Sequence, residues 1–252
     1  MQQLPNNWYF CVLTIKIYID MGELKDLLSN GLSELEPGEQ IQKRFKDIAD
    51  MLLKKYQIKK GDIYYDILEI EFYFYSKNHP DIITYPRTAP AGYWYFHSSG
   101  VDIAFESESG FVEGPKSKCP EPNYAKDSES FGGILIRSIK NRINGDVIKG
   151  PLNCVDELFD KFDAFGNLNN FPSLVLREST YQVEGGMKKC IRYIPPKDGS
   201  YIGKFKTFNG RYGNKYDENK SKDFLKCEYC YYIDNEGLYK HYSANPKNRE
   251  VK

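Results

Sequence analysis

The chain has 252 residues, 40% of them hydrophobic and 15% aromatic with 21 Tyr and 15 Phe, and so much buryable surface excludes a disordered chain. Equal numbers of basic and acidic residues, 35 of each, leave no formal net charge and exclude the broad polyanion affinity of a strongly basic protein. No run approaches the ~18 consecutive apolar residues of a membrane span, and Asn6, Asn7, Lys16 and Asp20 near the start do not make a signal peptide, so no membrane partner and a cytoplasmic location are expected.

This length suits one domain with decorations, and a single α+β domain over residues 1–252 is expected. Residues 8–20, rich in Tyr, Ile and Val, read as an opening strand. Glu23 to Ser29 can form a short helix that Gly31 ends through its tolerance of positive φ. Ile41, Phe45, Ile48 and Leu52 recur at helical spacing, which predicts an amphipathic helix over 38–56 lying on a sheet.

The segment 62–75 alternates with period two. It places Leu68, Ile70, Phe72 and Phe74 on one side, and Ile67, Glu69, Glu71, Tyr73 and Tyr75 on the other. Residues 93–97 and 101–106 flank Ser98-Ser99-Gly100 and predict a hairpin with a three-residue loop, Val101, Ile103 and Phe105 facing one way and Asp102, Ala104 and Glu106 the other. Residues 107–130 read as a long loop, and Gly132-Gly133 leads into a buried-looking strand, 134–139, interrupted by Arg137. An unpaired guanidinium there would cost several kcal/mol, so Arg137 requires a partner. Helical spacing resumes over 151–165 through Val155, Leu158, Phe159 and Phe162. Segments 174–176, 190–194 and 224–242 suggest further antiparallel strands, with a turn at 208–211.

Charge is uneven along the chain: residues 61–131 carry 12 acidic against 5 basic side chains, and residues 197–252 carry 12 basic against 8 acidic. The second stretch reads as a basic C-terminal decoration, and the first as the part that holds the chemistry. Six Cys at irregular spacing do not form a secreted disulfide scaffold. Cys227 and Cys230 make a CxxC pair, but His241 and Cys190 lie at no recognised zinc spacing, so neither metal nor cofactor is expected and these cysteines read as strand or turn residues.

A half-buried carboxylate among aromatic rings acquires a raised pKa and can act as a general base, and Glu71 is such a candidate. Tyr73 beside it is a candidate stacking platform, and His97 sits at a loop mouth, a position suited to ligand contact, as is His79. The cluster Ser98, Ser99, His97 and Asp102 is too close in sequence for a hydrolase triad. No phosphate-cradling glycine loop, HExxH helix, GxSxG elbow or kinase signature is present.

Three pieces, in order, carry a likeness to a known family: Glu69-Ile-Glu71-Phe-Tyr73, the aromatic hairpin from Gly92 through His97 to Glu106, and Gly132-Gly-Ile-Leu-Ile-Arg137-Ser-Ile139. Over residues 60–155 the chain resembles the alkyladenine (3-methyladenine) DNA glycosylases. The resemblance implies a mixed α+β fold with a largely antiparallel curved sheet and packed helices. It further implies base-excision chemistry: extrusion of a damaged nucleotide and hydrolysis of its N-glycosidic bond. Carried over residue by residue, Glu71 is the general base, Tyr73 and His79 clamp the base, Tyr95 is a pocket wall, and Arg137 contacts the nucleotide. His97 and Asp102 stand where the family continues its hairpin with a wedging Tyr and a pocket Asn. Asp102 adds negative charge where phosphates would approach, so the expected partner is DNA held weakly or a nucleoside-like small molecule. The alternative expectation is a non-enzymatic binding or structural protein.

Overall fold

A computed structural model describes residues 22–76, 78–81, 83–84, 89–107, 130–159, 170–178, 180–193 and 224–234. The expected strand over 8–20, the 208–211 turn, all but the ends of the 107–130 loop, and most of the 197–252 decoration lie outside the described residues.

Helix α1 spans residues 22–29 and buries Leu24 and Leu28, one turn apart, and the chain leaves it through Gly31 at φ +64°. Helix α2, Glu39–Asp50, buries Ile41, Phe45 and Ile48 as its spacing predicts. The phase then changes. Met51, Leu52 and Leu53 are all buried, which a single α-helical stripe cannot achieve, and Met51–Lys55 opens into a π-helical turn before strand β1 begins at Tyr56. The expected helix over 38–56 therefore ends by this widened turn.

Strands β1 (Tyr56–Lys60), β2 (Ile63–Tyr75), β3 (Trp94–His97), β4 (Gly100–Ala104), β5 (Phe131–Asn141) and β6 (Val147–Lys149) precede helix α3 (Pro151–Phe159). Strands β7 (Ser173–Leu176), β8 (Gly186–Cys190) and β9 (Cys230–Asp234) follow. All nine belong to one antiparallel sheet ordered β3-β4-β5-β2-β1-β7, with β6 on β5, β9 on β2 and β8 on β9. Although β3 and β7 end that order on opposite sides, the Trp94 indole donates to the carbonyl of Pro172, just before β7, at 2.9 Å. The sheet is thus a curved half-barrel with packed helices, a mixed α+β fold.

Phe45 carries α2 onto the sheet, stacking on Phe72 at a 4.4 Å centroid distance and meeting Phe74 and Tyr229 edge-on. Burial of each such ring stabilises the fold by about 1.5–3 kcal/mol. Strand β8 ends at Cys190, so the expected strand over 190–194 lies earlier in the chain. The hairpin turn is one residue shorter than expected, because Gly100 already pairs with His97. At φ +148°, and with an added Cβ lying 2.7 Å from the Pro151 side chain, only glycine fits there.

The alternation of β2 is broken in mid-strand. Register between β2 and β5 is regular up to Ile67–Ile139 and again from Ile70–Ile136, with an irregular Glu69–Ser138 pairing between them. Consequently Ile67 and Ile70, three apart, both join the apolar core, as do Ile136 and Ile139 across the ladder. The expected faces are corrected on this point: Ile67 belongs with Ile70, Phe72 and Phe74. A bulge matched on both strands flips the phase of each without shifting the overall register.

Candidate functional site

Alternation places Glu69 with Glu71, and Arg137 with Leu135, on the side opposite the apolar core, and the bulge adds Ser138 to them. From β3 to β8 the register runs Tyr95, Asp102, Leu135, Glu71, Cys230, Cys190, each opposite the next. Directly opposed residues project to the same face, so one row brings together side chains more than a hundred positions apart. Two strand spacings of ~4.8 Å separate Asp102 from Glu71 across Leu135, or about 10 Å between their backbones.

Glu71 is completely buried. Its Oε2 accepts from the Tyr73 hydroxyl at 2.9 Å and from Arg137 Nη1 at 3.2 Å, while Oε1 accepts from the backbone N–H of Tyr193. Beside it, Glu69 accepts from Ser138 Oγ at 3.1 Å and from Cys230 Sγ at 3.6 Å, and Arg137 Nε lies 3.6 Å from its Oε1. Burial works against the Arg137 charge, but Glu71 and then Glu69 outweigh it and hold the guanidinium firmly protonated. The required partner of Arg137 is therefore a pair of carboxylates. Its guanidinium also lies over the Tyr193 ring at 5.2 Å.

Tyr73 is half-buried. Burial, then the Glu71 charge, push its phenol well above the usual tyrosine range, so it is a hydrogen-bond donor at neutral pH. The Arg192 guanidinium covers its ring at 4.7 Å. Arg192 is itself fully buried and anchored by Asp81, by the Phe72 carbonyl and by the Phe224 carbonyl. Gly132 lets the strands close here: a Cβ at that position would stand 2.3 Å from the Tyr73 carbonyl oxygen.

His97 and Asp102 form a second cluster on the same face. The Ser99 N–H donates to His97 Nδ1 at 3.2 Å, which leaves the proton on Nε2 to be donated to Asp102 Oδ1 at 3.0 Å. Asp102 is 1% exposed, His97 and Tyr95 are half-buried, and the Tyr95 and His97 rings stand 6.3 Å apart. The structure thus gathers Glu71, Tyr73, Arg137, Tyr95, His97 and Asp102 on one face.

His79 stands elsewhere, in the aromatic core on the other side of β2. Its Nδ1–H donates to the Phe74 carbonyl and its Nε2 accepts from the Tyr229 hydroxyl, both at 2.9 Å, with Phe45, Phe74 and Phe224 around the ring. Sequence reasoning missed Ser138, Cys230, Cys190, Arg192, Asp81 and the Tyr193 amide as site residues. Glu69 and Ser138 lie in the motifs that carry the likeness to the glycosylases, and Cys230 and Cys190 among the cysteines weighed for zinc; nothing in the sequence marks Arg192, Asp81 or the Tyr193 amide.

Among the described residues Glu69, Glu71 and Cys230 offer ligand atoms within 4.8 Å of one another. Arg137 already supplies positive charge to both carboxylates, and burial raises the Cys230 thiol well above its usual range, so the trio is poorly suited to a metal ion. No helix among the described residues is long and apolar enough to cross a membrane.

No family model matches the chain, and no solved structure matches it. It is 30% identical over 132 residues to "Uncharacterized protein L759" of Acanthamoeba polyphaga mimivirus, a match covering 47% of this chain and 58% of that protein. The chain thus spans less than two thirds of the relative it matches, and that relative carries no stated activity.

Proposed function

We propose that the Glu71 face hydrolyses an N-glycosidic bond, in a damaged nucleotide or a related nucleoside-like ligand, on a fold of the alkyladenine DNA glycosylase kind. The observation that carries this reading is the contact of Glu71 with Arg137 and Tyr73 in one row with Asp102 and the half-buried Tyr95. A carboxylate has about four acceptor positions, and among the described residues three donors reach Glu71, which leaves one position for a water. Arg137 pairs with Glu71 and orients it. Water then adds its oxygen to the anomeric carbon as the bond to the base breaks. One water proton stays on the new sugar hydroxyl, and the other passes to Glu71 and from it to the nitrogen of the departing base that held the sugar, which restores the carboxylate. Tyr73 and Tyr95 border the base, and a weakened base pair lowers the cost of extruding the nucleotide.

The complete burial of Glu71 favours a second reading, in which the ion-paired carboxylates only hold the sheet and the protein binds or scaffolds without catalysis. Base release from a panel of alkylated, deaminated and normal oligonucleotides, single- and double-stranded, and from free nucleosides, separates the two. With chelator present, wild type releases base from at least one of them, and Glu71→Gln lowers the rate by roughly 10²- to 10⁴-fold. If wild type releases nothing, or Glu71→Gln matches it, the second reading stands.

A further inference from the structure

We propose that Cys190 and Cys230 are a redox pair, forming a reversible disulfide across β8 and β9 when the protein meets a low-molecular-weight disulfide oxidant. The two residues are directly opposite in the β8–β9 register. Opposed residues of an antiparallel ladder have Cα atoms ~4.5 or ~5.5 Å apart, both within the ~4.4–6.8 Å that a disulfide spans. Their side chains leave the sheet on the same face, both thiols are reduced, and one hydrogen-bonds the other.

The CxxC partner suggested by sequence does not compete. Cys227 packs against the apolar core and its thiol hydrogen-bonds Tyr229, whereas Cys230 points to the carboxylate face and donates to Glu69 at 3.6 Å. The CxxC motif is thus divided, Cys227 lying before β9 against the apolar core and Cys230 within β9 on the carboxylate face.

Exposure sets the order of events, since Cys190 is 8% exposed and Cys230 is completely buried. The Cys190 thiolate attacks one sulfur of the oxidant, its S–S bond breaks, and a thiolate leaves. Cys230 passes its proton towards Glu69, and its sulfur attacks Cys190 Sγ, expelling the second thiolate. Both electrons end on the oxidant, which becomes two thiols, and the protein protons end there as well. The disulfide would close a loop of about 40 residues and so restrict the unfolded chain. This inference does not rest on the glycosidic reading, and its test needs no activity.

Reduced full-length protein is incubated with oxidised glutathione, its remaining thiols are alkylated, and it is digested without reductant for peptide mass mapping. The expected product is a Cys190–Cys230 linked peptide pair that dithiothreitol abolishes, together with a higher melting temperature before reduction. Cys227→Ala leaves the linkage intact, and Cys230→Ala leaves glutathione on Cys190 instead. Alkylation of both cysteines after oxidation would overturn the inference, as would linkage of Cys230 to Cys227, Cys11 or Cys119. If Cys230→Ala does not fold, the wild-type peptide map decides alone.

Discussion

Replacing Arg137 by Leu would leave Glu69 and Glu71 buried side by side without their shared cation. Truncating one member of a buried ionic cluster costs about 3–5 kcal/mol, mostly through the charge left uncompensated. Urea denaturation of Arg137→Leu should therefore show a much lower midpoint, and adding Glu69→Gln and Glu71→Gln to it should recover most of the loss. A midpoint for Arg137→Leu equal to that of wild type would mean that the carboxylates find other compensation. Tyr73→Phe is milder: it removes one hydrogen bond to a charged acceptor, worth about 1.5–3 kcal/mol. Because Glu71 retains its other two donors, the measured loss should fall at the low end of that range.

At the scale of the element, the β2–β5 ladder tolerates no side chain at position 132. The atoms that a Cβ would meet there are backbone, the Tyr73 oxygen at 2.3 Å and the Phe74 Cα at 2.9 Å. Gly132→Ala must therefore spread the strands and should destabilise the protein by about 1–3 kcal/mol or more, read as a fall in melting temperature. The segment after β2 carries a pH dependence. Burial is the largest influence on His79 and lowers its pKa below the ordinary 6.5, a shift that Asp81 only partly offsets. The folded state therefore resists a proton that the unfolded chain accepts. This contribution to stability is complete above pH 6.5 and is lost as pH falls from 6.5 towards the lowered folded value. Melting temperatures of wild type should drop over that window, and the drop should be shallower in His79→Phe. Equal slopes in the two proteins would show that other groups carry the dependence.

For the whole molecule, equal numbers of acidic and basic residues set the expectation for nucleic acid. Retention of duplex DNA should be weak, with a salt slope smaller than that of a protein neutralising about six phosphates. Tight, steeply salt-dependent binding would indicate a concentrated basic surface that the overall balance conceals.

Local rules made α1, α2 and the two long strands legible in the sequence, because each rests on a periodicity, a glycine stop or an apolar run within its own segment. The same rules required a partner for Arg137 and singled out Glu71 and Tyr73, since a charge inside an apolar strand and carboxylates alternating with tyrosines are visible one residue at a time. Tertiary structure alone decided what those residues meet. The phase flip at Glu69 arises from a bulge matched on β2 and β5, and a single strand's pattern cannot report its partner's register. His79 went to the aromatic core because Phe74 and Tyr229 satisfy both its nitrogens there. Cys230 turned from Cys227 to Cys190 because strand pairing sets which side chains are neighbours, and proximity along the chain does not.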